Sequence, residues 1–359
     1  MSQYLRPNIA QMRGYSSGEQ PSDEQTIKLN TNENPYPPSP KVAEALANFS
    51  SEKLRIYPAP SAAPLRQAIA DHHNLDADQV VVTHAGDEAL RLAVTTFVEP
   101  DGVVASTEPT YSLYRVLAQI QDAKMHTQDL LADWSLAGDF ADQANSAGAQ
   151  LTCVVNPHAP SGFLNSATKI SQLARALDGV LLIDEAYADF VHEEANYNIS
   201  PLLEKHDNLL ILRTFSKGYS LAGLRLGYLL GPKSLIQPIA EKTRDSYNVD
   251  AISQSIGKAA LEDQTYARAT WQRVREQRDA LAKALADRGF ISPPSATNFL
   301  LATVPAPLNA QQLYLQLKDE GILVRYFDTP RLHDQLRITV GTAEQQQRLL
   351  AAMDKLITA

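Results

Sequence analysis

The chain has 359 residues, of which 44% are apolar and 20% charged, and its formal net charge at pH 7 is −9. A chain of this length can bury a large core and carry a smaller second domain. Its composition is typical of a globular protein, while its acidity and the lack of a basic cluster argue against a nucleic-acid partner.

Membrane insertion and secretion are not indicated. No apolar run approaches the roughly 20 residues that a membrane-spanning helix needs, and the N-terminus lacks the apolar core of a secretory signal. The single cysteine, Cys153, lies in an apolar run and has no second cysteine to pair with. We therefore expect a buried, inert thiol and a cytoplasmic protein with no membrane partner.

The first forty residues are rich in Pro, Asn and Ser, which indicates an N-terminal arm (1–40). After this arm, apolar runs predict strands and helical spacing predicts helices in alternation. The strands are expected at 80–83, 102–106, 151–155, 179–184, 209–213 and 226–230, and the helices at 61–73, 88–97, 111–120 and 170–177. This alternation is typical of a mostly parallel sheet covered on both faces.

The pattern changes at about residue 264, where a long polar helix begins. Two strand–helix units follow it: FLLATV with a helix at 309–319, then LRITV with a C-terminal helix. The sequence therefore predicts an α/β protein with a large domain over 41–263 and a smaller α+β domain over 264–359.

Candidate site residues follow the predicted strands, because open α/β sheets bind ligands at the carboxyl ends of their strands. The strand at 80–83 runs into a glycine-containing turn, HAGDE (84–88), that opens a helix. Free backbone N–H groups there suit a phosphate, although Asp87 could simply cap the helix. The strand at 179–184 ends in Asp184, an acid that needs a cation or a donor. A pyridinium nitrogen would serve, but acids at strand ends also occur in metal and nucleotide sites.

The strand at 209–213 is followed by TFSKG (214–218), which places Lys217 beside two hydroxyl residues. A lysine just past a central strand can be desolvated and have a lowered pKa, as a Schiff-base lysine requires. A lone loop lysine is usually a solvated charge. However, Arg225 follows among Leu and Gly residues, and this indicates a buried anion such as a cofactor phosphate.

The segment SKGYSLAGLRLGY (216–228) resembles the lysine signature of the fold-type-I pyridoxal-phosphate (PLP) aminotransferases, and the spacing from Asp184 to Lys217 also fits that family. Five further segments resemble the histidinol-phosphate aminotransferases within it. These segments are LNTNENPYPPSP (29–40), RIYPAP (55–60), EPTYSLY (108–114), SYNVDAISQ (246–254) and LRITVGT (336–342). The matches keep their order over nearly the whole chain.

The resemblance implies PLP as the cofactor and assigns a role to each matching residue. Lys217 would hold PLP as a Schiff base and move the proton, while Asp184 would pair with the pyridinium nitrogen. Tyr187 would donate to the phenolic oxygen of the ring, and Tyr111 would stack on its face. The phosphate would be surrounded by the amides of Gly86 and Asp87, by Thr214, Ser216 and Arg225, and by Tyr57 of the neighbouring subunit in a homodimer.

For the substrate, the resemblance implies that Arg337 grips an α-carboxylate and that Arg325 binds the substrate's phosphate. Tyr15 and Tyr247 match further substrate-pocket tyrosines. The implied reaction converts histidinol phosphate and 2-oxoglutarate to imidazole-acetol phosphate and glutamate, in histidine biosynthesis. Three alternatives stay open: an aromatic amino-acid aminotransferase, a PLP-dependent decarboxylase of a phosphorylated amino acid, and a non-catalytic ligand-binding domain of the same fold.

One segment departs from the family. Its NPNNPTG loop reads NPHAPSG (156–162) here, so Ala159 stands where an asparagine normally donates to the cofactor's phenolic oxygen. We expect Ala159→Asn to leave cofactor binding intact and to change the pH dependence of the cofactor's absorbance. His158 is predicted to be an exposed loop residue rather than a substitute donor.

Overall fold

The computed structural model describes residues 3–21 and 23–358. Its strands are β1 (Ile27–Lys28), β2 (Val80–Thr83), β3 (Val103–Glu108), β4 (Lys124–Asp129), β5 (Ala149–Val155), β6 (Val180–Asp184), β7 (Leu209–Thr214), β8 (Gly227–Leu230), β9 (Phe299–Thr303), β10 (Ile322–Leu323), β11 (Arg325–Tyr326) and β12 (Gln335–Thr339). Its α-helices are α1 (Pro7–Gln11), α2 (Pro40–Ala47), α3 (Ala63–His73), α4 (Ala85–Phe97), α5 (Leu113–Gln121), α6 (Phe140–Ser146), α7 (Ala167–Ala176), α8 (Lys233–Pro238), α9 (Ala251–Glu262), α10 (Gln264–Ala286), α11 (Ala310–Asp319) and α12 (Ala343–Thr358).

The principal sheet has seven strands in the order β2-β8-β7-β6-β5-β3-β4. Its strands run parallel from β4 through β3, β5 and β6 to β7, and β8 lies antiparallel to both of its neighbours. The predicted mostly parallel sheet is therefore confirmed. Alternate strand residues enter two separate apolar clusters: Ile183 and Ile211 belong to one, and Leu182 and Leu210 to the other. The continuous apolar runs thus reflect burial on both faces.

The C-terminal part of the chain builds a second, antiparallel sheet in the order β11-β12-β9. Residues of α10, α11 and α12 pack with it in a third apolar cluster, which includes Leu281, Leu313, Leu336 and Leu349. Strand β1 pairs in parallel with β10, with Ile27 opposite Ile322. Strand β1, within the N-terminal arm, therefore attaches the arm to the C-terminal part of the fold.

The structure bears on two expectations, one about the burial of the single cysteine and one about membrane-spanning helices. Cys153 is buried, as predicted, and burial raises the pKa of its thiol. No described helix is both long and apolar enough to cross a membrane.

A buried ion cluster lies beneath the strand ends that carry the candidate site. Arg213 donates to Glu185 at 2.9 Å and to Asp189 at 2.7 Å, and both carboxylate side chains are at most 5% exposed. A Cβ on Gly218 would lie 2.0 Å from Asp189 Oδ2, so only glycine fits beside this pair. The cluster therefore supports the backbone immediately after Lys217.

Arg213→Met should lower the free energy of unfolding by about 3–5 kcal/mol at pH 7, because two buried carboxylates lose their counter-charge. Urea denaturation would measure the change. The matched control is Arg115→Met, which removes a pair with Glu108 in which both side chains are about half exposed and should cost less than about 1 kcal/mol. Equal losses in the two variants would show that the buried cluster has no special role.

Candidate active site

Three strand ends meet at one edge of the principal sheet. Strands β6 and β7 are parallel, so Asp184 and Thr214 end side by side. Strand β2 runs in the same direction as β7, because both are antiparallel to the intervening β8. The turn after Thr83 therefore opens at the same edge, as expected for a ligand site in this class of sheet.

Lys217 is half-buried at this edge, and its Nζ donates to the carbonyl oxygen of Thr31 at 2.8 Å. Burial lowers the pKa of Lys217 to about 8, with help from the positive charge of Arg337. The alternative of a solvated surface lysine is therefore wrong. A lysine with this pKa is neutral often enough near pH 7 to react with a carbonyl group.

Asp184 is buried and accepts hydrogen bonds from Tyr114 Oη at 2.9 Å and from the Ala186 amide at 3.1 Å. Burial raises the pKa of Asp184 to about 6, although both hydrogen bonds act in the opposite direction. No lysine, arginine or histidine forms a salt bridge with this carboxylate within the described part of the chain. Such a carboxylate is suited to bind a cationic ligand group.

Two tyrosines stand near this carboxylate. Tyr187 is buried, and its ring packs edge-on against Phe299 with centroids 5.1 Å apart. Tyr111 packs edge-on against Tyr114, and Tyr15 of the N-terminal arm lies 5.7 Å from the Tyr111 ring. The structure therefore brings Tyr111 and Tyr15 together.

The HAGDE turn (84–88), the candidate phosphate site, does not have the structure of a helix start capped by Asp87. Helix α4 begins at Ala85, a residue with φ 64°, and has no side-chain cap. Asp87 instead accepts from Arg225 at 2.9 Å, so its prediction as a helix cap is wrong. Arg225 is also less buried than its apolar neighbours suggested, with its side chain 41% exposed. A Cβ on Gly227 would lie 2.8 Å from the Ala85 carbonyl carbon, so this glycine permits close packing of β8 against the turn.

Thr214 and Ser216 lie at the start of the loop that carries Lys217, and both are buried. The Ser216 amide donates to Thr214 Oγ1 at 3.1 Å, and this hydroxyl donates to the Leu226 carbonyl at 3.3 Å. The two residues are therefore fixed between the lysine and the β8 strand.

Two arginines lie side by side on the C-terminal sheet, because Arg325 of β11 is the register partner of Arg337 of β12. Arg337 donates to the Asn30 carbonyl at 3.0 Å, and its Nε is buried without a hydrogen-bond partner. Both guanidinium groups lie over the ring of Phe327, at 5.2 and 5.4 Å. No carboxylate pairs with either arginine among the residues that the structure describes, so an anionic ligand would supply the missing acceptor.

The other two predicted tyrosines lie apart from this cluster. Tyr57 and Tyr247 stack on each other with ring centroids 4.5 Å apart, and 78% of Tyr57 is exposed. Neither forms a hydrogen bond or ring contact with the lysine or arginine residues of the site within the described ranges. In the single chain, Tyr57 and Tyr247 are therefore exposed on the surface.

The NPHAPSG loop corrects one expectation. His158 is buried rather than exposed: its Nδ1 lies 2.8 Å from Ser161 Oγ and its Nε2 lies 3.0 Å from the Pro109 carbonyl oxygen. Burial lowers the pKa of His158 to about 4, so the ring is neutral at pH 7. With one nitrogen on Ser161 of the loop and the other on the Pro109 carbonyl, His158 cannot replace the missing asparagine, and Ala159 is also buried.

Three polar groups at the site were not assigned by sequence reasoning. These are the Tyr114 hydroxyl on Asp184, the Thr31 carbonyl on Lys217 and the Asn32 amide on Tyr187. Tyr114 lies in EPTYSLY, and Thr31 and Asn32 lie in LNTNENPYPPSP. Both segments resemble the family, but the three contacts join residues that are 70, 186 and 155 positions apart, so no local pattern reveals them.

The site offers a half-buried amine, a buried carboxylate and two adjacent arginines, and among the described residues neither the carboxylate nor the arginines have a partner of opposite charge. These groups fit PLP and an anionic amino substrate, because the amine can bind the aldehyde and the carboxylate can pair with the ring nitrogen. Together with the sheet order, they define a PLP-dependent aminotransferase of fold type I.

Comparisons with known proteins agree with this class of enzyme. The family model for aminotransferase class I and II matches residues 24–353. Histidinol-phosphate aminotransferase 1 of Nostoc sp. is 42% identical over 358 residues, covering 99% of both chains, and the enzyme of the same name from Trichormus variabilis is 41% identical over 360 residues, covering 99% of this chain and 100% of its own. A crystal structure of histidinol-phosphate aminotransferase from Sinorhizobium meliloti, in complex with pyridoxal-5'-phosphate, has a TM-score of 0.91 at 25% identity and covers 100% of this chain and 98% of that one.

The chain therefore belongs to the class I and II aminotransferases, and within them to the histidinol-phosphate aminotransferase family. It is a PLP-dependent enzyme.

Proposed function

We propose that the enzyme transfers the amino group between histidinol phosphate and 2-oxoglutarate, which gives imidazole-acetol phosphate and glutamate in histidine biosynthesis. The adjacent Arg325 and Arg337, without a carboxylate partner among the described residues, carry this proposal. An amino substrate with a phosphate group needs two convergent positive charges near the reacting carbon. The many relatives named histidinol-phosphate aminotransferase support the same assignment.

The residues at the sheet edge would hold PLP. Lys217 would bind it covalently and Asp184 would keep a proton on its pyridine nitrogen, while Tyr187 would donate to its phenolic oxygen and Tyr111 would cover its ring. The phosphate would be held by the amides of Gly86 and Asp87, the hydroxyls of Thr214 and Ser216, and the Arg225 guanidinium. When bound, PLP serves as an electron sink for the bond that breaks at the substrate's amino-bearing carbon.

The two arginines would accept different anions in the two halves of the reaction. In one half they receive the phosphate of histidinol phosphate, and in the other the two carboxylates of glutamate. Arg337 binds the carboxylate nearer the amino group, where its unpaired Nε is available. Tyr15 closes the site from the arm side, next to Tyr111.

Lys217 would also move the proton in each half-reaction. The Nζ of Lys217 would take the proton from the substrate's amino-bearing carbon and return it later in the reaction. Its lowered pKa suits this task, because a general base works best when its pKa lies near the working pH. A positive charge on the ring nitrogen beside Asp184 would lower the pKa of this carboxyl from about 6 and keep it charged.

The exposed Tyr57–Tyr247 stack supports a homodimer in which Tyr57 reaches the phosphate site of the neighbouring subunit. Because the two rings are stacked, Tyr247 would enter the same neighbouring site. Residues 41–263 would form the large cofactor-binding domain, residues 264–359 the small domain, and residues 1–40 the arm. The absence of a second cysteine fits a cytoplasmic enzyme.

Arg325→Ala tests the substrate assignment. The variant should lose about 10- to 100-fold in kcat/KM for histidinol phosphate, because a charge-assisted hydrogen bond contributes roughly 1.5–3 kcal/mol. The kcat/KM for an aromatic amino acid without a phosphate should change far less. Steady-state assays with 2-oxoglutarate as acceptor measure both values.

The matched control is Arg348→Ala on the exposed face of α12, which should leave both values unchanged. Equal losses of Arg325→Ala with phosphorylated and unphosphorylated substrates would contradict a phosphate role for Arg325. An aromatic amino acid preferred by the wild-type enzyme would favour the aromatic alternative.

A further inference from the structure

Asn32 adopts an uncommon backbone conformation next to the cofactor site. It is 2% exposed and has φ 57°, in the left-handed region that asparagine tolerates better than most residues. Its amide N–H donates to Thr339 Oγ1 at 3.0 Å, and its carbonyl oxygen accepts from Asn298 Nδ2 at 2.9 Å. Thr339 of β12 and Asn298, the residue before β9, thus fix the Asn32 backbone.

The same contacts fix the direction of the Asn32 side chain. Thr339 Oγ1 receives the backbone N–H and can therefore give its own hydrogen to Asn32 Oδ1, 3.1 Å away. The other end of the amide, Nδ2, then points at Tyr187 Oη at 2.9 Å. An amide nitrogen only donates, so the Tyr187 oxygen accepts and its hydroxyl hydrogen is free to point elsewhere.

We propose that Asn32 is a positioning residue that directs the Tyr187 hydroxyl toward the cofactor's phenolic oxygen and strengthens this hydrogen bond. It would supply indirectly the support that an asparagine at position 159 would give directly. Ala159 packs in the same apolar cluster as Tyr187, and its side chain has no donor. The inference rests on the role of Tyr187 in the proposed function.

The physical basis is cooperativity between consecutive hydrogen bonds. A hydroxyl that accepts one hydrogen bond becomes a better donor in the next, by roughly 10–30% per bond. The titratable and charged groups that face Tyr187 are Arg337, Asp184, Tyr15 and Tyr111. All four remain in place when Asn32 is replaced, so a change in the titration reports on the Asn32 amide.

The test is a pH titration of the visible absorbance of the holoenzyme. A hydrogen bond to an ionised oxygen favours ionisation, so a weaker donor raises the pH at which the bound cofactor changes colour. Asn32→Gly, which keeps the left-handed backbone, should move the midpoint upward by about 0.3 pH units. Asn32→Asp should move it further, because a carboxylate accepts the Tyr187 hydrogen and diverts it. Ala159→Asn should move it downward.

The matched control is Asn74→Gly, at an exposed helix end with φ 54°, which should leave the midpoint unchanged. Thr339→Val, which releases the Asn32 amide, should shift it upward and serves if Asn32→Gly does not fold. In a Tyr187→Phe background, Asn32→Gly should add no further shift.

A shift of the same size in the Tyr187→Phe background would overturn the inference. So would an unchanged midpoint in both Asn32→Gly and Thr339→Val while Tyr187→Phe alone moves it, and that result would leave the proposed function standing. If Tyr187→Phe itself had no effect, the assignment of Tyr187 to the phenolic oxygen would fail, and the inference with it.

Discussion

Lys217→Ala should abolish covalent attachment of PLP and reduce transamination by at least about 10²–10⁴-fold, the usual contribution of a positioned proton-transfer group. The loss arises because, in the described part of the chain, Lys217 is the lysine whose Nζ lies at the strand edge, on the Thr31 carbonyl. Mass spectrometry after borohydride treatment would show a cofactor-sized addition on the wild-type chain and none on the variant. Lys258→Ala, which removes an exposed pair with Glu262, should behave as wild type.

The pH dependence of cofactor capture follows from the pKa of about 8 for Lys217. About a tenth of the side chain is neutral at pH 7, so the rate at which apoenzyme captures PLP should rise almost tenfold per pH unit below pH 7, about fivefold between pH 7 and pH 8, and then level off. Stopped-flow absorbance would measure this rate. A rate that kept rising past pH 9 would indicate an ordinary lysine pKa and contradict the assignment.

Asp184→Asn should have opposite effects on stability and activity. In the apoenzyme the pKa of Asp184 is raised to about 6, so folding is favoured most below the unfolded pKa near 4, and this advantage is lost as the pH rises through 6. The amide does not ionise. The variant should therefore gain about 3 kcal/mol relative to wild-type apoenzyme between pH 4 and pH 7.

In the presence of PLP the same substitution should lower kcat by about 10²–10³-fold, because a neutral amide cannot hold a proton on the ring nitrogen. Urea denaturation of both apoenzymes across pH and steady-state kinetics of both holoenzymes measure the two effects. An unchanged kcat would show that Asp184 does not pair with the ring nitrogen. A difference in the free energy of unfolding that did not vary with pH would show that Asp184 does not titrate near pH 6 in the folded protein.

Sequence patterns predicted the principal strands well because strands covered on both faces are continuous apolar runs. Strand β4, KMHTQD, was not predicted, since it lies at the sheet edge with its side chains half-buried or exposed. Strands β1, β10 and β11 have two residues each, too few to show a periodicity.

The candidate site was predicted only in part, because some of its residues lie in recognisable segments and others are joined by contacts between distant positions. Lys217 and Arg337 lie in segments that resemble the family, and the spacing from Asp184 to Lys217 fits it as well. The hydrogen bond from Asn32 to Tyr187 joins residues 155 positions apart, and no local pattern encodes such a contact. The burial of His158 depends on the Pro109 carbonyl 49 residues away, so a polar loop sequence suggested exposure instead.

The central claim is tested most directly by one substrate comparison on the purified holoenzyme. With 2-oxoglutarate as acceptor, histidinol phosphate should give imidazole-acetol phosphate and glutamate in equal amounts, at a kcat/KM well above that for histidinol, phenylalanine or tyrosine. Preferred use of an aromatic amino acid, or release of carbon dioxide from a phosphorylated amino acid in place of glutamate formation, would contradict the account.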